Sequence, residues 1–161
     1  MSGAIAGLTG KDNYYEDFTV GAVYEHARGR TITEMDNVLL THLVMNTAQG
    51  HFNEHRMAAG PFKHRITFGG ITASFIIGLA AEDTAEQALT ELGLDKIRFS
   101  TPVYHGDTLY AYTEVLAKED GERADAGIVR FRHVGVNQDR KVVFTGERRV
   151  LLKRRSHWDN R

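Results

Sequence analysis

Cysteine is absent from the 161-residue chain. That excludes disulfides, a thiolate metal site and a cysteine nucleophile. Proline is limited to Pro61 and Pro102. Neither sign of charge dominates, with 20 Lys and Arg against 21 Asp and Glu and a net charge of −1. Such a balance argues against a nucleic-acid or membrane role built on bulk electrostatics. Long hydrophobic runs are missing too. The longest, Ile71 to Ala81, is far too short to span a bilayer. No basic segment precedes the apolar residues at the N-terminus, so no signal peptide is read and a cytoplasmic setting is expected.

What is present is an ordinary globular composition, 42% hydrophobic and 25% charged, in a chain long enough to bury a core. Residues 1–12 are small, polar and Gly-rich and read as a flexible N-terminus, residues 13–155 as one domain, and residues 156–161 as a tail. No internal repeat or linker divides the domain.

Helices come first and strands after, which predicts an α+β domain. Ala22 to Thr33 alternates and reads as a strand. Thr33 is an N-cap with Asp36 three residues on, and the helix it opens repeats Met35, Val38, Leu39, His42, Leu43 and Met45 at helical spacing. A polar loop follows, then a short helical candidate, Asn53 to Ala59, ended by Gly60-Pro61. After Gly69-Gly70 an apolar run reads as a buried helix reaching about Ala88. Lys96 to Tyr104, Thr108 to Ala117, Ala126 to Val136 and Lys141 to Lys153 then read as four successive strands of an antiparallel meander.

The chemistry-bearing residues lie between the first and last helices of that series. A glycine pair at a helix start leaves backbone N–H groups and the positive dipole end free, a site for a carbonyl oxygen or oxyanion. His51, on the polar loop before it, is a candidate acid/base, a residue type suited to that chemistry at neutral pH. A loop histidine of this kind can also be a simple helix cap. His51 and His55 lie four apart, but the loop position of His51 and the lack of a third ligand argue against metal binding.

Asn46-Thr-Ala-Gln-Gly-His51-Phe-Asn53 followed by Phe68-Gly69-Gly70 resembles the signature of the MaoC-like hydratases and dehydratases. That signature is Asp-x-Asn-Pro-x-His-x-Asp followed by His-Gly. Asp17-Phe-Thr-Val-Gly21, Gly29-Arg-Thr-Ile-Thr-Glu34 and Pro102-Val-Tyr-His-Gly-Asp-Thr-Leu109 extend the resemblance over about residues 14 to 153. His51 and Gly69 match. Both acids are amides here, Asn46 and Asn53, and Asn-Thr-Ala with His-Phe soon after is similar to the mesaconyl-CoA hydratase branch.

The resemblance implies a hot-dog fold, an antiparallel sheet wrapped around a long helix. It also implies a cofactor-free lyase that adds water reversibly to a short, branched or dicarboxylic enoyl-CoA such as mesaconyl-CoA or itaconyl-CoA. On that reading His51 moves the proton. Asn46, which has no basic lone pair, orients the water or the acyl group. Gly69 and Gly70 hold the thioester oxygen, Phe68 lines the acyl pocket, and Asn53, His64 and Arg65 meet the substrate. The open sheet edge and half-built groove imply a homodimer or higher oligomer. An acyl-CoA thioesterase is a second reading, weakened because the long helix has no acid before Glu82. A non-catalytic acyl-thioester binding protein is a third.

Overall fold

A computed structural model describes residues 13–159 together with the backbone of residues 5–6. The rest of the expected flexible N-terminus lies outside the described residues. The elements are β1 (Ile5–Ala6), β2 (Val23–Thr31), α1 (Glu34–Leu43), α2 (Glu54–Ala58), α3 (Gly69–Thr84), β3 (Ala88–Phe99), β4 (Thr108–Asp120), β5 (Ala126–Val136), β6 (Val142–Lys153) and α4 (Arg155–Trp158).

The six strands form one sheet in the order β1-β2-β4-β5-β6-β3. All pairings are antiparallel except the short β1–β2 ladder. Helix α3 packs across this sheet, mainly on β4 and β2. Its Ile76 is fully buried against β5 at Gly135, where any Cβ would collide with the Ile76 side chain. One apolar cluster, with Ile32, Ile76, Leu109 and Phe144, lies under the first turns of α3. A second, with Phe18, Phe131, Val150 and Leu152, fills the other end of the sheet.

Local signals account for much of this. Thr33 caps α1 as expected: its hydroxyl accepts from the Asp36 N–H while the Asp36 carboxylate accepts from the Thr33 N–H. Strand β5 has the expected bounds.

Two expectations are corrected. Helix α3 stops at Thr84, not near Ala88, because the Thr84 hydroxyl turns back onto the Ala80 carbonyl and Ala85 leaves the helical region at φ −141°. The strand expected at Lys96 to Tyr104 runs instead over Ala88–Phe99, where pairing with β6 overrides the weak helical preference of Ala88 and Leu89. It does not join the meander, which holds only β4, β5 and β6; β3 crosses to the far edge. There it is exposed along most of its length.

For α1 the structure adds which way the helix faces. Its apolar residues face outward: Met35 is 72%, Leu39 49% and Leu43 67% exposed. The buried residues are Asn37 and Thr41. Helical periodicity finds an apolar face, but it does not say what covers that face.

Candidate active site

The site is assembled where α1 ends, where α3 begins, and in the two loops between. Three bonds turn the chain out of α1. Met45, in the left-handed region at φ 57°, donates to the His42 carbonyl, and Asn46 N–H donates to the Thr41 carbonyl. The Asn46 side-chain oxygen then accepts from the Ala48 N–H at 2.9 Å, an Asx turn that aims the backbone at the short 3-10 turn Gln49–His51.

His51 is half-buried at the end of that turn. Its Nδ1 lies 2.9 Å from the Ile66 carbonyl. A carbonyl only accepts, so Nδ1 carries a proton and, in the neutral ring, Nε2 keeps the lone pair. Among the described residues Nε2 has no hydrogen-bond partner. The ring packs on Phe68, with centroids 5.4 Å apart.

His51 forms one wall of a cavity of about 290 Å³, shared with Thr67, Gly69, Phe99 and Val103. Gly69 and Gly70 open α3, and the helix's own bonds begin with Ile71 N–H and Thr72 N–H, both donated to Phe68. The first two N–H groups are therefore left to the cavity end of the helix. A side chain at either position would press on an aromatic ring. A Cβ on Gly69 would meet the Phe99 ring at 3.1 Å, and one on Gly70 would meet the Phe68 ring at 2.7 Å. The arrangement pairs a histidine base with helix-terminal N–H donors around one cavity, the parts needed to move a proton while charge develops on a carbonyl oxygen.

The other expected site residues sit around this centre. Asn46 does not contribute to the cavity wall. Asn53 caps α2 by accepting from Arg56 N–H and donates its amide to Gln49. His64 and Arg65 both meet Glu54, and Arg65 reaches Glu34 as well, at 2.8 Å in each case for the arginine. The His64 contact, with help from Arg65, pushes the exposed Glu54 carboxyl down to about 2. Arg65 thus ties the first turn of α1 to the first turn of α2. Among the described residues no group of three or more His, Cys, Asp or Glu could hold a metal ion, and no helix is long and apolar enough to cross a membrane.

Asn37 was not anticipated. It is fully buried and links the His51 loop to the backbone before α3 and to His105. Its amide nitrogen donates to the His51 carbonyl at 2.8 Å, lies 3.3 Å from the Ile66 carbonyl, and is 2.9 Å from His105 Nε2. Its oxygen accepts from Phe68 N–H at 3.0 Å. A buried-face polar pair at i and i+4, Asn37 and Thr41, was the available signal, and the apolar repeat beside it concealed it.

A family model described as mesaconyl-CoA hydratase matches residues 8–154. The chain is 33% identical to a beta-methylmalyl-CoA dehydratase of Chloroflexus aurantiacus, over 91% of this chain and 46% of that protein. It is also 33% identical to a mesaconyl-CoA hydratase of Haloarcula marismortui, over 88% of this chain and 42% of the relative. The chain therefore spans less than half the length of these curated relatives. Among solved structures, a putative MaoC domain protein dehydratase from Chloroflexus aurantiacus superposes with a TM-score of 0.84 at 32% identity, covering 91% of this chain and 46% of that one. A Mycobacterium tuberculosis protein described as having a double hot-dog fold gives 0.81 at 23% identity, over 90% and 45%. That likeness establishes the hot-dog fold.

Proposed function

The chain belongs to the mesaconyl-CoA hydratase family, and from that premise we propose that it is an acyl-CoA hydratase or dehydratase, a carbon–oxygen lyase. Its substrate is a short, branched or dicarboxylic enoyl-CoA such as mesaconyl-CoA or itaconyl-CoA. The observation that carries the reading is His51, whose Nδ1–H is tied to the Ile66 carbonyl so that Nε2 is left as a base on the cavity wall.

In the hydration direction Nε2 takes a proton from water as the water oxygen bonds to the β-carbon. The electron pair of the double bond moves to the thioester oxygen, which the Gly69 and Gly70 N–H groups stabilise. The imidazolium then returns the proton to the α-carbon, so the atoms of one water are added and no cofactor is consumed. Asn46, whose oxygen is held by the Ala48 N–H and which lies outside the cavity wall, acts by setting the course of the loop that carries His51. Phe68 shapes the acyl end, while Asn53, His64 and Arg65 support the rim.

The outward apolar residues Met35, Leu39, Leu43, Val44 and Met45 support a second hot-dog unit packed on this one, supplied by another copy of the chain, in a cytoplasmic homodimer. Sedimentation as a monomer at micromolar concentration would refute that assembly. The Asx turn that occupies Asn46 favours one further reading, a protein that binds acyl thioesters without turning them over.

The test is a hydration assay with crotonyl-, mesaconyl- and itaconyl-CoA, following the enoyl-thioester absorbance and measuring free CoA separately. Absorbance loss with the branched substrates and no free CoA is expected. Release of free CoA would make the protein a thioesterase, and binding without change would make it a binding protein.

A further inference from the structure

The carboxamide of Asn37 can be oriented without ambiguity. Phe68 N–H is a donor, so the atom facing it at 3.0 Å is the oxygen. The nitrogen then faces the His51 carbonyl at 2.8 Å and His105 Nε2 at 2.9 Å. An amide nitrogen has two protons and no lone pair to share, so His105 Nε2 accepts and His105 is neutral, with its proton on Nδ1. Burial and the neighbouring Arg65 charge, opposed by Glu34 and Glu54, lower the His105 pKa and agree with that form. Turning the amide over would set N–H against N–H at Phe68 and oxygen against oxygen at His51. Both ends forbid it.

The same nitrogen lies 3.3 Å from the Ile66 carbonyl, the group that accepts the Nδ1 proton of His51. One buried side chain therefore holds the His51 backbone, flanks the acceptor that selects its tautomer, and anchors the backbone just before α3. None of its atoms forms part of the cavity wall.

From these contacts we infer that Asn37 is a positioning residue for His51: it keeps the His51 loop and the Ile66 carbonyl in register, so that the proton stays on Nδ1 and Nε2 faces the reaction as a base. This rests on the hydratase reading for its effect on turnover, but not for its effect on the ring. Loss of the amide frees the His51 carbonyl, lets the loop move away from Ile66, and admits the Nε2–H tautomer, which cannot act as the base.

The experiment is nitrogen NMR of protein labelled in its imidazole rings, run on wild type, Asn37→Ala and Asn37→Asp, beside kcat and KM for the substrate that proves active. Wild type should show His51 and His105 each as the single Nδ1–H tautomer. Both variants should show mixed His51 tautomers. Turnover should fall in kcat by roughly 10–100-fold, the scale of losing an orienting partner, with KM changed far less. Asn37→Asp separates positioning from packing, since it keeps the shape and the Phe68 acceptor but removes both donors.

A second pair asks the same question from the rim and does not empty the buried position. His105→Gln retains an acceptor and should leave the His51 tautomer intact; His105→Leu removes it and should give the mixture. An unchanged His51 tautomer in folded Asn37→Asp, or no difference between the two His105 variants, overturns the inference. Absence of turnover in wild type on every enoyl-CoA would instead sink the functional reading, while the spectra still decide the role of Asn37.

Discussion

The two ends of α3 are both polar, and they differ in what is left unsatisfied. At its start, His51 and Gly69 line a cavity and leave the His51 Nε2 and the first helix N–H without a partner, with Asn37 buried behind them. At its end, His26 Nδ1 meets Asp83 at 2.5 Å, His26 Nε2 meets the Thr113 hydroxyl at 2.7 Å, and that hydroxyl meets His133 Nδ1 at 2.8 Å. All four side chains are buried, and Arg148 lies beside them, reaching Thr84 and Glu91. The groups at the two ends are chemically alike. One set lines a cavity, and the other is buried with its hydrogen bonds made among its own members, save His133 Nε2, which is buried without a partner. What sets His51 apart is that its unpaired nitrogen faces a cavity, whereas the unpaired nitrogen of His133 is sealed in the core.

That contrast can be broken most sharply at His51. His51→Ala should lower hydration by ~10²–10⁴-fold, the usual worth of a positioned acid/base, with little change in thermal stability or in CoA-ester binding. Turnover equal to wild type would end its assignment.

The reverse pattern is expected at the closed end. Asp83→Ala strands His26 in the core and should cost roughly 3 kcal/mol, as for other broken buried pairs, read as a lowered urea midpoint. Its kcat at a temperature where the variant is folded should stay within about threefold of wild type, since it acts far from the reacting atoms. A stability loss smaller than that of an exposed substitution would show that the layer is not a structural tie.

The smallest effect is a slope with pH. Burial, with the charges of Arg148 and His26 adding to it, pushes His133 down to about 3, below its ordinary value of 6.5. The unfolded chain therefore binds a proton that the folded chain refuses. Stability from this group is fully present above pH 6.5 and is lost as pH falls towards 3, by at most about 1.4 kcal/mol per pH unit. His105, also shifted downward, acts in the same sense. Melting temperatures between pH 6.5 and 4.5, a window above the carboxylates, should fall in wild type and fall less steeply in His133→Gln. Parallel slopes would remove His133 as the cause.

How much was legible follows from how far apart the interacting residues lie. Thr33 and Asp36, three apart, announced the start of α1 correctly. The alternation through β5 and the apolar run after Gly69 identified a strand and a buried helix. His51 and Gly69 stood out as chemistry-bearing types. The extent of β3 was misread because its partner, β6, is some fifty residues distant and supplies the strand pairing that Ala88 and Leu89 do not ask for. The orientation of α1 was not legible for a related reason: Asn37 is drawn inward by the carbonyl of His51 and by His105, which are 14 and 68 residues away.

By itself, then, the sequence determined the kinds of element, the caps that begin them, the family, and a histidine and a glycine helix start that belong to one site. The elements, caps and helix start depend on short-range sterics, spacing and periodicity, and the family on the likeness of its motif. Only the tertiary structure decided that β3 lies at the far edge, that α1 turns its polar face inward, and that His51 carries its proton on Nδ1. Each of those is settled by which distant donor meets which acceptor in the folded chain, and a buried polar group must find that partner or lose the free energy of the water it left behind.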